Sequence, residues 1–210
     1  MATTDQQRRE KRERIIDAAV EVFAAKGFRS ARIADIARRA GVADGTIYLY
    51  FRNKEDILLS VFEEKMDLLL QDLRDAIDRF DEPYLQIRAY ARHHFSQLQR
   101  QPALAQVFQV ELRQSHRFLR EYRPEKLWEY LGVFAKIVEA GQASGKLRAD
   151  VDPFLAQWAF FGALDEISIQ WVLSRRRDRF NLERAADQVV DLFYRGVAAA
   201  ESPPNQQEKP

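Results

Sequence analysis

The chain has 210 residues, 46% hydrophobic and 31% charged, which supports a sizeable core in one or two compact units and excludes wholesale disorder. It contains no cysteine, so disulfide scaffolds, thiol nucleophiles, thiolate zinc sites and iron–sulfur clusters are excluded. The net charge of +1 conceals an asymmetry: residues 1–55 hold twelve basic and eight acidic side chains, a balance of +4 that leaves −3 for the remainder, and a basic quarter on a slightly acidic body suggests a polyanion-binding segment.

Residues 1–14 read as a basic, flexible arm, polar and without the apolar core of a signal peptide. No run approaches the roughly 18 apolar residues of a membrane span, so the expected place is the cytoplasm, away from membranes. From Arg8 to Lys26, apolar Ile15, Ile16, Ala19, Val22 and Phe23 recur at helical spacing, and Gly27 is the stop. Short helices follow over Ile33–Ala40, ended by Gly41, and over Asp44–Tyr50. A long helix starts near Asn53 and carries an apolar stripe from Ile57 to Ile77. After Asp81-Glu82-Pro83 the pattern resumes over Tyr84–Arg100, Pro102–Gln114, Phe118–Ser144, Pro153–Leu173 and Leu182–Ala199. Pro83, Pro102 and Pro153 fit first-turn positions, where a missing N–H costs nothing. Gly145–Asp152 reads as a loop and the segment from Glu201 as a disordered tail. The expected fold is all-α with about nine helices: a three-helix helix-turn-helix domain over residues 8–54, a larger body over 55–200, and the tail 201–210.

The helix-turn-helix candidate spans Arg32–Phe51, where Ala37, Ala40 and Gly41 are small enough for two helices to cross and turn. Its second helix is expected to face Asp44, Gly45, Thr46, Tyr48 and Tyr50 outward, with Ile47 and Leu49 holding the inner side. Gly45 and Thr46 let base edges approach closely, the hydroxyls of Thr46, Tyr48 and Tyr50 can reach phosphate oxygens, and Lys54 adds a point charge.

Gly27-Phe28, Ile33, Ile36-Ala37, Ala40-Gly41-Val42, Gly45-Thr46-Ile47-Tyr48, Tyr50-Phe51 and Lys54-Glu55 resemble, in order and spacing, the DNA-binding signature of the TetR family of bacterial transcriptional repressors. The resemblance implies an N-terminal domain that binds an operator and a helical body that binds a small inducer and dimerises. It gives Arg32, Ala43, Asp44, Gly45, Thr46, Tyr48, Tyr50 and Lys54 as the DNA-binding set. Ala31-Arg32 departs from the Thr pair frequent in the family before Ile33, which removes a usual helix cap; Ser30 or the Arg32 charge are the substitutes at hand. Glu111-Leu112-Arg113-Gln114-Ser115, Gly162-Ala163-Leu164-Asp165-Glu166 and Trp171-Val172 are similar to the FadR branch, repressors of fatty-acid degradation released from DNA by long-chain acyl-CoA. The family also implies a homodimer through the last two long helices and a palindromic operator.

In the body alone, the many large aromatic residues read as ordinary bundle core and cannot by themselves announce a pocket. Arg113, Arg117 and Arg120 would share one face of a continuous helix beside Phe108, either as a solvated stripe or as the cationic mouth that the anionic head of an acyl-CoA needs next to an apolar tunnel. With the resemblance, the ligand-binding set is Phe108, Leu112, Arg113, Gln114, Arg117, Trp158, Phe161 and Trp171. Gly141–Lys146 lacks the spacing of a phosphate loop, and His93, His94 and His116 lack that of a metal site. Asp165-Glu166 has no nucleophile beside it and reads as a polar pairing or pocket rim. The chain is therefore expected to need no cofactor or metal and to be no enzyme. A regulator answering to another apolar ligand, such as a drug or free fatty acid, and a helical lipid carrier or enzyme are the alternatives.

Overall fold

A computed structural model describes residues 2–199 and builds ten α-helices among them, with no strand; the expected tail 201–210 lies outside the described residues. α1 (Ala2–Lys26), α2 (Ile33–Ala40) and α3 (Asp44–Ile47) form the N-terminal unit, and α4 (Lys54–Ile77) leads from it into the body. The body adds α5 (Pro83–Arg100), α6 (Pro102–Gln106), α7 (His116–Arg120), α8 (Glu125–Ala143), α9 (Pro153–Leu173) and α10 (Leu182–Val197). No helix among the described residues is long and apolar enough to cross a membrane.

The stretch expected as a flexible arm is helical from Ala2 and continuous with α1. Its Gln, Arg, Glu and Lys residues are good helix formers, and tertiary contacts fasten it. The Arg8 guanidinium lies 5.9 Å from the centre of the Tyr50 ring, Arg12 lies 5.1 Å from that of Phe51, and Arg12 also pairs with Glu64. Gly27 ends α1 in the left-handed region (φ 76°) with its N–H on Phe23 O at 2.9 Å.

Neither Ser30 nor the Arg32 side chain replaces the missing cap of α2. The Asp35 carboxylate reaches back to the Arg32 N–H at 3.3 Å. It is itself held by Lys26 at 2.8 Å and Arg38 at 2.5 Å, and the hydrogen bond from Lys26 keeps its carboxyl below the usual range against the opposing effect of desolvation. Gly41, at φ 67°, turns the chain into α3.

α3 itself is four residues long. The chain expected to continue it to Tyr50 tightens into i→i+3 turns, Leu49 N–H to Thr46 O at 3.2 Å and Tyr50 N–H to Ile47 O at 3.0 Å. A tighter turn carries each residue further round the axis. Ile47 is therefore buried as expected, but Leu49 points to solvent, 73% exposed, and Phe51 fills the inner side instead.

Asn53 starts α4 with its side-chain oxygen on the Asp56 N–H at 2.9 Å. In the body, Arg88 and Arg92 of α5 each reach Asp187 of α10 at 2.8 Å and clamp the two helices. Tyr90, Phe134 and Phe160 pack at the centre, with the last two stacked at 4.4 Å.

Two expected helices are broken. Pro102–Gln114 divides into α6, a wide π turn over Val107–Glu111 and a tight 3-10 turn over Leu112–Gln114. Ser115 is extended and uses its hydroxyl to accept the Phe118 N–H at 3.1 Å, starting α7. Pro124 then separates α7 from α8, because a proline disfavours helical geometry in the residue before it. Arg113, Arg117 and Arg120 consequently form no single stripe.

Candidate functional site

At the N-terminal unit, Ala43, Asp44, Gly45 and Tyr48 are exposed, the last at 60%, while Thr46 and Tyr50 are half-buried. Tyr50 packs on the core under Arg8, so its ring is a structural partner as well as a surface group. Arg32 is exposed. Lys54 departs from its expected role as a free point charge. Its ammonium donates to Arg29 O and Ala31 O, both at 3.0 Å, and sits 4.8 Å over the Phe28 ring; partial burial lowers its pKa. Lys54 straps the loop between α1 and α2 to the first turn of α4.

The body holds a partly open cavity of about 380 Å³, mostly apolar, lined by α4, α5, the segment from α6 through the π and 3-10 turns to Phe118 of α7, α8 and α9. Phe108, Leu112, Arg113, Trp158 and Phe161 of the expected ligand set line it. Gln114, Arg117 and Trp171 do not. Gln114 turns away to donate to Glu111 Oε2 at 3.0 Å, Arg117 lies beyond the break at Ser115, and Trp171 is buried under the Arg177 guanidinium at 4.7 Å. Phe62 joins the cavity wall to a cluster of aromatics, with Phe108 and Phe118 each 5.3 Å from it.

Polar groups gather on one side. Arg113 spans both Asp165 oxygens at 3.0 and 2.8 Å and reaches Gln109 Oε1 at 3.3 Å, so Asp165 is a paired rim residue. His94 bridges Tyr130 OH at 2.9 Å and Ser168 Oγ at 3.0 Å. Ser168 gives its own proton to Leu164 O at 2.7 Å, so His94 Nε2 must donate and Nδ1 must accept from Tyr130. Burial pushes both His93 and His94 down to about 4, leaving them neutral at physiological pH. Sequence reasoning missed these cavity histidines. The available signal was His93, Gln97 and Gln101 at four-residue spacing, one polar line along α5 facing the cavity.

Residues 15–61 match the family described as bacterial regulatory proteins, tetR family, and residues 62–196 match that described as YsiA-like protein, C-terminal region. Among curated proteins, the chain is 39% identical over 191 residues to the fatty acid metabolism regulator protein of Bacillus subtilis, covering 91% of this chain and 97% of that protein. Among solved structures it is similar to FadR from Bacillus subtilis in complex with stearoyl-CoA, with a TM-score of 0.82 and 39% identity over 88% of this chain and 98% of that one. The fatty acid degradation regulator FadR from Bacillus halodurans gives 0.82 and 38%, over 89% and 95%. The two family matches abut at residues 61 and 62, where α4 leaves the reading head for the cavity wall, and the chain belongs to the TetR family of bacterial regulatory proteins.

Proposed function

We propose that this regulator represses fatty-acid degradation genes and is released from its operator by long-chain acyl-CoA. The observation that carries the reading is the mostly apolar cavity with the Arg113–Asp165 pair on its wall, in a chain 39% identical to a FadR whose structure holds stearoyl-CoA. Phe108, Leu112, Trp158 and Phe161 would take the acyl chain and Arg113 the anionic head, exchanging Asp165 for it. Ala43, Asp44, Gly45, Thr46 and Tyr48 would enter a major groove, with Arg32 near the phosphates.

The protein acts as a homodimer in this reading, through the outer faces of α9 and α10, and therefore reads a palindromic operator on chromosomal DNA in the cytoplasm. The cavity adjoins α4, the helix that begins at the reading head, so a ligand that prefers one placement of α4 shifts the spacing of the two heads. The test is titration of the protein–operator complex with stearoyl-CoA, stearate and coenzyme A. Stearoyl-CoA alone should dissociate the complex at low concentration. Release by stearate at equal concentration, or no release by any of the three, overturns the acyl-CoA assignment.

A further inference from the structure

Glu111 closes the π turn and is buried, 3% exposed, although nothing in the cavity uses it. Its carboxylate accepts three N–H donors: the Phe28 backbone at 2.6 Å, Gln114 Nε2 at 3.0 Å and Gln106 Nε2 at 3.3 Å. The first bond joins residues 83 apart and runs from the body to the loop between α1 and α2. Gly27 has just ended α1, and the Phe28 N–H finds its acceptor in a side chain of the body. A buried N–H without an acceptor is costly, so this bond fixes where the loop sits.

What Glu111 holds is a junction. The Phe28 ring packs edge-on to Phe23 at 5.5 Å and lies beneath the Lys54 ammonium, which in turn takes Arg29 O and Ala31 O. Phe28 therefore ties together α1, the entry to α2 and the first turn of α4. On its other side, the segment that carries Glu111 also carries Phe108, Gln109, Leu112 and Arg113, all on the cavity wall. A π turn holds an extra residue that an α turn would expel, so closing it swings the following residues by about 100° around the axis. A turn that switched between these two windings would be the two-state element that coupling between sites requires.

We infer that Glu111 is a positioning residue that reports cavity occupation to the reading head through the Phe28 N–H, a route separate from α4. A ligand that displaces Phe108 and Leu112 moves the turn bearing Glu111, and the α1–α2 loop follows or loses its acceptor. The inference rests on the functional reading above. It is tested in the full-length protein with Glu111→Met, which keeps much of the volume but no acceptor oxygen, and Glu111→Ala, which removes both.

Operator affinity is measured with and without saturating stearoyl-CoA, alongside stearoyl-CoA affinity and thermal melting. Both variants should bind stearoyl-CoA within about 3-fold of wild type, while the ligand-induced weakening of operator binding shrinks about 10-fold or more. If Glu111→Ala fails to melt cooperatively, the Glu111→Met ratio decides. Variants that lose melting temperature and ligand-free operator affinity but keep the wild-type release ratio show a merely structural role and overturn the inference. Wild-type protein that stays on its operator in stearoyl-CoA overturns the functional reading and this inference with it.

Discussion

Lys54 donates to Arg29 O and Ala31 O at 3.0 Å each and lies 4.8 Å over the Phe28 ring, so two of its three donors are taken before any phosphate arrives. Lys54→Met keeps the apolar stem and deletes the ammonium, leaving two carbonyls without their partner. Loss of such charge-assisted bonds should cost about 1–3 kcal/mol, visible as a lower melting temperature. A phosphate contact would behave differently, because removing it lowers the salt slope of operator binding by about 1. The expected result is therefore reduced stability with an unchanged slope; a reduced slope at wild-type stability would return Lys54 to the DNA surface. Tyr48, 60% exposed, is the contrasting case, since its side chain is largely free to face DNA.

The body's helices meet around His94, where α5 is bonded to α8 through Tyr130 and to α9 through Ser168. Burial holds His93 and His94 near 4 in the folded chain, against 6.5 for an ordinary histidine. Below pH 6.5 the unfolded chain takes up protons that the folded one refuses. Stability is thus complete above 6.5 and declines as pH falls toward 4, by at most about 1.4 kcal/mol per pH unit for each histidine. Melting temperature should be flat from pH 8 to 7 and drop by pH 5, and His94→Gln should shrink the drop; a wild-type protein as stable at pH 5 as at pH 7 contradicts this.

The helices so joined were legible where glycine, proline and apolar spacing mark them: Gly27 and Gly41 as stops, Pro83, Pro102 and Pro153 as starts. Val107-Phe108-Gln109-Val110-Glu111 carries no such mark. It reads as ordinary helix, yet long-range contacts such as Glu111 to Phe28 accompany a π turn there, and the continuous helix that a stripe of Arg113, Arg117 and Arg120 would need does not form. The apolar stripe of α4 that includes Phe62, Met66 and Leu69 does not by its spacing tell core from cavity wall, and these three residues line the cavity. Leu49 was misplaced because a four-residue α3 leaves helical pitch before it reaches that position.

For the molecule as a whole, the two faces of α9 bear on different neighbours. Phe160, Leu164, Ser168 and Trp171 are buried in the bundle, and Trp158, Phe161 and Asp165 line the cavity. The opposite side exposes Leu155, Ala159, Gly162, Ala163 and Leu173, while α10 exposes Leu192, at 78%, together with Gln188 and Gly196. Apolar and small residues in that density favour close helix packing against a second copy. Leu192→Glu places a charge in the proposed dimer face without touching either the cavity or the reading head. It should convert the protein to a monomer in sedimentation while preserving cooperative melting, and it should weaken operator binding about 100-fold or more, because one head then lacks the effective concentration supplied by its twin. A Leu192→Glu protein that sediments as the wild type does, with operator affinity intact, would move the interface elsewhere. Trp158 is both part of the cavity wall and 40% exposed on α9, so in the proposed dimer this helix would give a ligand a direct way to alter the spacing between the heads.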